Sequence, residues 1–248
     1  MKDMLKKELL LAIEQQCIQT KQQLWFHNIL ENNMDELIDK IVYVSMGKYI
    51  HFFQNNDSPM DHSKYLEYVR SLRVYLRQTF MGQDSSITPE NIFQLHGNML
   101  APFDKTDEDT IKSWKLREEM RNVELIDEHG KLCARDMFIS HRKVKTLFMQ
   151  ELHLYNTQIA EMPLQSIIRL FQVNLSKIHP FFNGNGRLFS MLLDVLLIKH
   201  HYLPLFLLQD KTAYNRITDR YMIDKNFLRL EIGFLNLVLE KYRDYHIQ

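Results

Sequence analysis

Residues 179–187, HPFFNGNGR, combine side chains that suit phosphoryl chemistry. Gly184 and Gly186, two of only seven glycines in the chain, allow the backbone to turn several N–H groups into one anion-binding concavity. Arg187 adds a planar cation that matches phosphate oxygens. His179 stands a few residues upstream and is the natural general base near neutral pH. The pattern predicts a phosphate-bearing ligand with a base beside it.

Two predicted helices must hold these residues in place. The segment 163–178 has apolar side chains at spacings of three and four, which is one face of an amphipathic helix: Leu164, Ile167, Ile168, Phe171, Leu175 and Ile178. Pro180 discourages helix beyond His179. The segment 187–200 is apolar on nearly every side, which predicts a buried helix. Its N-terminus would present unpaired N–H groups and a partial positive charge to the ligand.

The spacing alone also fits a second interpretation, a glycine-containing turn between two helices with a histidine on the surface. Gly-x-Gly is common in turns, and the Gly-Lys-Ser/Thr of a Walker loop is absent. A dinucleotide-binding fold would need a strand before the glycines, where a helix is predicted.

Composition limits the partners and the compartment. The chain has 248 residues and 31 basic against 31 acidic side chains, so we expect neither nucleic acid nor a membrane as a partner. The two cysteines fit a reducing compartment. No secretory signal peptide and no apolar run long enough to span a bilayer is evident. We expect a cytoplasmic protein, or one exported into a host cell as an effector.

The remaining sequence predicts a mainly α protein. Few glycines and prolines favour helices over 2–24, 34–53, 61–80, 89–100, 107–120, 140–154, 163–178, 187–200, 210–221 and 225–245. The segment 123–139 instead alternates apolar and polar residues around DEHGK, which predicts a β-hairpin or, alternatively, an irregular surface loop.

The run 179–187 resembles the motif of the Fic (Fic/Doc) family, His-Pro-Phe-x-(Asp/Glu)-Gly-Asn-Gly-Arg-x-x-Arg. ITPENIFQLHGNML (87–100) is similar to the first core helix of that family, and HHYLPLFLL (200–208) to the segment after its motif helix. The resemblance implies a Fic-type helical bundle with a small β-hairpin flap. It divides the chain into an N-terminal helical region, 1–84, and a Fic core domain, 85–248.

Fic proteins mostly transfer AMP from ATP to a Ser, Thr or Tyr hydroxyl of a target protein, so the resemblance implies a protein adenylyltransferase. His179 would take the proton from the attacking hydroxyl. The phosphates would lie against Gly184, Asn185 and Gly186, with the Asn185 side chain as one donor, while Arg187 neutralises their charge and Phe181 anchors the loop. The hairpin 123–139 would dock the target by strand addition.

Two positions depart from the family pattern. Asn183 stands where the family has the Asp or Glu that holds Mg²⁺, and an amide oxygen brings no negative charge to a metal. Ser190 stands where the family has a second arginine that meets the terminal phosphate of ATP. Both departures weaken the expected use of ATP and Mg²⁺. They leave open a degenerate Fic protein that binds a nucleotide or target without AMP transfer. A Fic enzyme with another reaction, such as phosphorylation, phosphocholine transfer or AMP removal, also stays open.

Two further residues have both a functional and a structural interpretation. Glu31, in HNILENN (27–33), fits the end of the inhibitory helix that many Fic proteins carry, but it could equally be a solvated helix carboxylate. Tyr214 falls where the family has a tyrosine near the adenine ring, but it could equally be a core or surface tyrosine.

Overall fold

The computed structural model describes residues 2–22, 34–55, 62–82, 86–100, 115–120, 122–126, 132–209 and 212–244. Four helices come first: α1 (Lys2–Gln22), α2 (Met34–Asn55), α3 (His62–Phe80) and α4 (Pro89–Leu100). Strands β1 (Asn122–Ile126) and β2 (Leu132–Met137) follow, and then helices α5 (His141–Gln158) and α6 (Pro163–Val173). A π-helical segment (Asn174–Ile178) leads to α7 (Asn185–Lys199), α8 (Thr212–Asp224) and α9 (Phe227–Asp244). The fold is mainly α, as predicted.

Helix α7 is the centre of the bundle. Its residues 188–198 are all buried, which confirms the prediction from their continuous apolar character. Helices α2, α3, α4 and α6 pack around it, and α1 packs against α9. Buried side chains from both ends of the chain join one apolar cluster, among them Ile13, Ile38 and Phe234. The division into 1–84 and 85–248 stays a prediction.

Helix α4 begins where the sequence predicts it. The backbone N–H of Asn91 donates to Oγ1 of Thr88 at 3.2 Å, and the Thr88 N–H donates to Oδ1 of Asn91 at 2.9 Å. This reciprocal pair satisfies two backbone donors, and Pro89 occupies the first turn, where its missing N–H is harmless. Gly184, one of the predicted phosphate-binding residues, packs against the C-terminal part of this helix.

Strands β1 and β2 pair antiparallel, from Asn122 opposite Met137 to Ile126 opposite Leu132, with a register shift after Leu125. They lie where the alternating pattern of 123–139 predicts strands, and β2 contacts α8. The residues of the predicted turn, 127–131, lie outside the described residues, as does Glu31.

The helix predicted over 107–120 is wrong for residues 115–120, which are not helical. The N–H of Arg117 donates instead to the carbonyl of Pro180 at 2.8 Å. Because this N–H binds a carbonyl in a distant part of the chain, it is not available for a hydrogen bond within a local helix. Residues 101–114 lie outside the described residues.

None of the described helices is long and apolar enough to cross a membrane.

Candidate active site

The segment 179–187, which we call the motif loop, begins where the helical chain is forced to stop. Helix α6 widens into the π-helical segment, and its last bond runs from the N–H of His179 to the carbonyl of Asn174 at 2.7 Å. His179 then adopts the left-handed conformation, with φ 47° and ψ 64°. This conformation costs a residue with a Cβ roughly 1–2 kcal/mol. Such strain in a non-glycine residue is typical of functional sites.

The surroundings of the His179 imidazole select one tautomer. Its Nδ1 lies 3.3 Å from the carbonyl oxygen of Leu175. Because a carbonyl only accepts, Nδ1 carries the proton and Nε2 carries the basic lone pair. The ring stacks on Phe138 at 4.0 Å between centroids and 9° between planes. The half-buried imidazole is thus held by a hydrogen bond at Nδ1 and by the Phe138 ring on one face.

The centre of the motif loop is anchored in the core through Phe181. This ring is fully buried, as expected, and stacks on His96 of α4 at 4.0 Å. Nε2 of His96 in turn donates to the carbonyl of Asn183 at 2.9 Å. The Asn185 amide closes the loop, since its Oδ1 accepts from the Phe181 N–H at 3.0 Å and its Nδ2 donates to the Phe181 carbonyl at 2.8 Å. The loop is therefore held both by its own Asn185 side chain and by His96 of α4.

The end of the motif loop is the N-terminus of α7. Gly184 is the N-cap residue, with φ 80° and no capping side chain. The first backbone bond of the helix runs from the Leu188 N–H to the Gly184 carbonyl at 2.9 Å. The N–H groups of residues 185 and 186 precede that bond and lie at the N-terminus of the helix. These are the donors that an anion meets at a helix N-terminus.

The two glycines differ in their surroundings. A Cβ on Gly184 would lie 3.0 Å from Cε of Met99 and 3.3 Å from Cδ1 of Leu100, so this glycine permits close packing on α4 as well as its positive φ. A Cβ on Gly186 would meet nothing within 4 Å. Gly186 therefore borders open space at the first turn of α7.

The Fic/DOC family model matches residues 86–197, which include α4, both strands and the motif loop. Residues 86–197 form a Fic/DOC domain. Proteins of similar fold include a Fic domain-containing signaling protein from Bacteroides thetaiotaomicron, at 18% identity and TM-score 0.68, over 95% of this chain and 94% of that one.

A Fic family protein from Desulfovibrio desulfuricans G20 shares the fold at 16% identity and TM-score 0.66, over 97% of this chain and 73% of that one. Fic-1 from C. elegans shares it at 12% identity and TM-score 0.60, over 99% of this chain and 72% of that one. A search among curated proteins found no significant match. At these identities the likeness establishes the fold.

Within the Fic/DOC domain, the predicted site residues 184–187 lie at the N-terminus of α7, and His179 lies at the other end of the motif loop. Arg187 lies in the first turn of that helix and is half-buried. Asn185 is buried, and its amide binds the Phe181 backbone, whereas the sequence predicted that it donates to a phosphate. The Asn185 amide thus uses its oxygen and one of its two N–H donors within the loop, while the backbone N–H of residue 185 lies at the helix N-terminus.

The two departures from the family motif have different surroundings. Ser190 is only 4% exposed and supplies a neutral hydroxyl where the family motif has a cation. Asn183 supplies a neutral amide oxygen, and the described parts of the chain contain no group of three His, Cys, Asp or Glu side chains able to hold a metal. The neutral amide of residue 183 contributes less to holding a divalent cation than a carboxylate would, and we assign no step to a metal.

Tyr214 is half-buried and lies in an aromatic cluster packed against the hydrophobic core. Its ring centroid is 5.6 Å from that of Phe171 and 6.0 Å from that of Phe234. Burial raises the pKa of its hydroxyl well above 10, and the neighbouring Ser176 hydroxyl partly offsets this rise. These contacts favour the structural interpretation of Tyr214 over a place beside an adenine ring.

Sequence reasoning missed Arg117. It lies in the charged run KLREEMR, which reads as a solvated helix face, yet it is only 3% exposed. Its side chain reaches the backbone of the π-helical segment and of the motif loop. No pattern in the single sequence distinguishes this arginine from the neighbouring surface charges, because its acceptors are carbonyls from distant parts of the chain.

Proposed function

We propose that this Fic/DOC domain transfers AMP from ATP to the hydroxyl of a Ser, Thr or Tyr side chain in a target protein. One observation carries the proposal: a histidine with its proton on Nδ1 and a glycine-lined helix N-terminus lie at the two ends of one short loop. The first supplies a base and the second supplies donors for phosphate oxygens.

In the proposed reaction, the target hydroxyl oxygen attacks the α-phosphorus of ATP. The bond from that phosphorus to the bridging oxygen breaks and pyrophosphate leaves, while Nε2 of His179 accepts the hydroxyl proton. The N–H groups at the start of α7 and the Arg187 guanidinium stabilise the charge on the phosphate oxygens. The chain supplies orientation and charge, which are the main protein contributions to phosphoryl chemistry.

We propose that the β1–β2 hairpin docks the target. A two-stranded sheet has two edges with backbone groups available for strand addition. Phe138, the residue after β2, touches His179 directly, so a peptide along the hairpin would lie close to the base.

The proposed donor site depends little on Mg²⁺. Asn183 brings no charge, and Ser190 is buried, so binding rests on the amides of the first α7 turn and on Arg187. Glu31 is proposed as a regulatory carboxylate that approaches the nucleotide from the N-terminal region. Its usual ionic partner in the family, the second arginine, is absent here.

Asn183 and Ser190 also favour a second candidate function, a module that binds a nucleotide or a target without transferring AMP. A neutral Asn183 and a buried Ser190 both reduce the stabilisation of the pyrophosphate leaving group.

Transfer of label from ATP separates the two candidates. The purified chain is incubated with ATP labelled at the α-phosphate, alone and with cell lysate, with Mg²⁺, Mn²⁺ or EDTA. If the chain transfers AMP, protein becomes labelled, and His179→Ala should reduce the amount of label by at least roughly 10²-fold. His153→Ala, an exposed histidine of α5, serves as the matched control. ATP labelled at the γ-phosphate detects phosphorylation instead.

Two substitutions toward the family motif sharpen the result. Asn183→Asp should increase labelling in Mg²⁺ and leave it unchanged in EDTA. Ser190→Arg places a cation in a buried position, so its thermal unfolding is measured before its activity is interpreted. Glu31→Gly should increase labelling if the carboxylate is inhibitory. Nucleotide binding without labelling in all of these variants would favour the binding module and reject AMP transfer.

A further inference from the structure

Arg117 makes a set of hydrogen bonds that its sequence context does not predict. Residues 115–120 are exposed or half-buried except for Arg117 itself. Its guanidinium donates to backbone carbonyls from three separate parts of the fold: Glu119 at 2.7 Å, Ile139 at 2.5 Å, Ile178 at 3.0 Å and His179 at 2.7 Å. The backbone N–H of Arg117 adds a fifth bond to the Pro180 carbonyl at 2.8 Å.

Three of these carbonyls belong to consecutive residues, 178–180, at the point where the π-helical segment ends and His179 turns left-handed. The guanidinium is planar and its donors have fixed directions, so acceptors that bind it together are held in one relative geometry. The Nε bond to the His179 carbonyl constrains the residue whose backbone is strained. Arg117 thereby opposes the relaxation of His179 toward an ordinary backbone conformation.

The Ile139 carbonyl connects this arrangement to the hairpin. Phe138 immediately precedes Ile139 and stacks on the His179 ring at 4.0 Å. The N–H of Ile139 donates to the Lys177 carbonyl at 3.3 Å, which adds a second tie between the end of β2 and the π-helical segment. The backbone of His179 is held from one side by Arg117, and its ring is covered from the other by Phe138.

We propose that Arg117 and Phe138 are positioning residues for His179. Arg117 holds the backbone at 178–180, Phe138 orients the imidazole plane, and together they keep Nδ1 directed at the Leu175 carbonyl so that Nε2 remains the basic nitrogen. Neither residue gives or takes the transferred proton, since Arg117 binds backbone carbonyls and Phe138 covers one face of the imidazole. The orientation of His179 is a property of the free protein, whereas its effect on rate rests on the proposed AMP transfer.

Lysine cannot replace Arg117 in this arrangement. Its ammonium is a compact point charge with three donors and cannot span four carbonyls in the directions that a guanidinium does. Arg117→Lys therefore keeps the charge and removes the geometry, which separates positioning from a simple electrostatic role.

The first test is the tautomer of His179, read from the ¹⁵N chemical shifts of the imidazole at neutral pH. The wild type should show the Nδ1–H form. Arg117→Lys and Phe138→Leu should each show both tautomers in exchange. Two controls should retain the wild-type His179 signals: Arg169→Lys, which alters a bidentate pair with Glu151, and Phe80→Leu, which alters the core beside Tyr75. Wild-type His179 signals in both Arg117→Lys and Phe138→Leu would overturn the proposal.

Thermal unfolding of each variant shows whether it is folded. If Arg117→Lys does not fold, Phe138→Leu carries the test, because it leaves every Arg117 bond in place and removes only the ring. A single Nδ1–H tautomer in folded Phe138→Leu then overturns the proposal.

The second test is kinetic and uses the transfer assay. Arg117→Lys should lower kcat by roughly 10²-fold, as expected for a misplaced catalytic group, with KM for ATP changed much less. An unchanged kcat in the folded variant contradicts the positioning role. If the wild type transfers no AMP, the proposed function fails, and the tautomer measurement still decides whether Arg117 and Phe138 position His179.

Discussion

The two ends of the motif loop are built in opposite ways. At the histidine end, residues 179–181, the backbone is strained, its carbonyls bind Arg117, and the imidazole and Phe181 are stacked on other rings. At the glycine end, residues 184–187, the helix N-terminus has no capping side chain, and Gly186 borders open space. The first arrangement gives a side chain one orientation, and the second leaves donors for a ligand. A general base needs a side chain in one orientation, and a phosphate site needs N–H donors that face a ligand.

Phe181 supports both ends, so its removal should have the largest effect on stability. It is fully buried between α4 and α5, in contact with the rings of His96, Phe93 and Phe148. Phe181→Ala should lower the free energy of unfolding by about 3–5 kcal/mol, measured by urea denaturation. Phe182→Ala, its half-buried neighbour, is the control and should change stability by less than about 1 kcal/mol. Equal losses in the two variants would show that the loop has no special anchor at 181.

In contrast to the N-terminus of α7, the interior of this helix should contribute to folding stability and not to ligand binding. Asp194 accepts the N–H groups of Leu205 and Phe206 at 2.6 and 3.2 Å, and burial raises its pKa from 3.8 to about 7. The folded state therefore keeps a proton that the unfolded state releases, and this contribution to stability is present below pH 4 and is lost as pH rises through 7.

Asp194→Asn removes this titration and keeps the oxygen acceptor. Between pH 4 and 7, the unfolding free energy of the wild type relative to the variant should fall by up to about 1.4 kcal/mol per pH unit. Urea denaturation at several pH values measures the difference. Parallel curves for the two proteins would mean that Asp194 does not retain its proton on folding.

Gly184→Ala should destabilise the protein through the backbone. The added methyl would meet Cε of Met99 at 3.0 Å, and φ 80° is unfavourable for any residue with a Cβ. We expect a loss of roughly 1–2 kcal/mol in the free energy of unfolding. A loss below about 0.5 kcal/mol would indicate that α4 yields to the methyl and that the loop is less tightly held than described.

Gly186→Ala should have the smallest effect on stability and a selective effect on binding. The methyl meets no atom within 4 Å, so the free energy of unfolding should change by less than about 0.5 kcal/mol. It would obstruct the approach of a phosphate to the amides, and loss of one charge-assisted hydrogen bond weakens ATP binding by roughly tenfold. Isothermal titration measures the change. Unaltered affinity would place the phosphates elsewhere.

The sequence predicted the parts of this architecture that depend on local pattern. The apolar spacing of 163–178 and the continuous apolar run of α7 gave two helices and the corner between them, and Thr88 with Pro89 gave the start of α4. Arg117 could not be predicted, because its role depends on carbonyls that only the tertiary fold brings together. The helix predicted over 107–120 failed at residues 115–120 for the same reason.

The orientation of the Asn185 amide was also beyond sequence reasoning. Its residue type fits a phosphate donor and a loop-closing amide equally well, and only the distances to the Phe181 backbone decide between them. Tyr214 is a similar case, since an aromatic residue at that position satisfies a core cluster as well as a nucleotide pocket.

The central claim is that the glycine end binds phosphates while the His179 imidazole stands beside them. Titration of the ¹⁵N-labelled protein with ATP tests it most directly, by the chemical shifts of the backbone amides and of the imidazole nitrogens. We predict that the largest shifts occur at the amides of residues 184–187 and at Nε2 of His179, and that Gly186→Ala reduces them at equal ATP concentration. Saturable shifts confined to other parts of the chain, with residues 184–187 unchanged, would contradict the account.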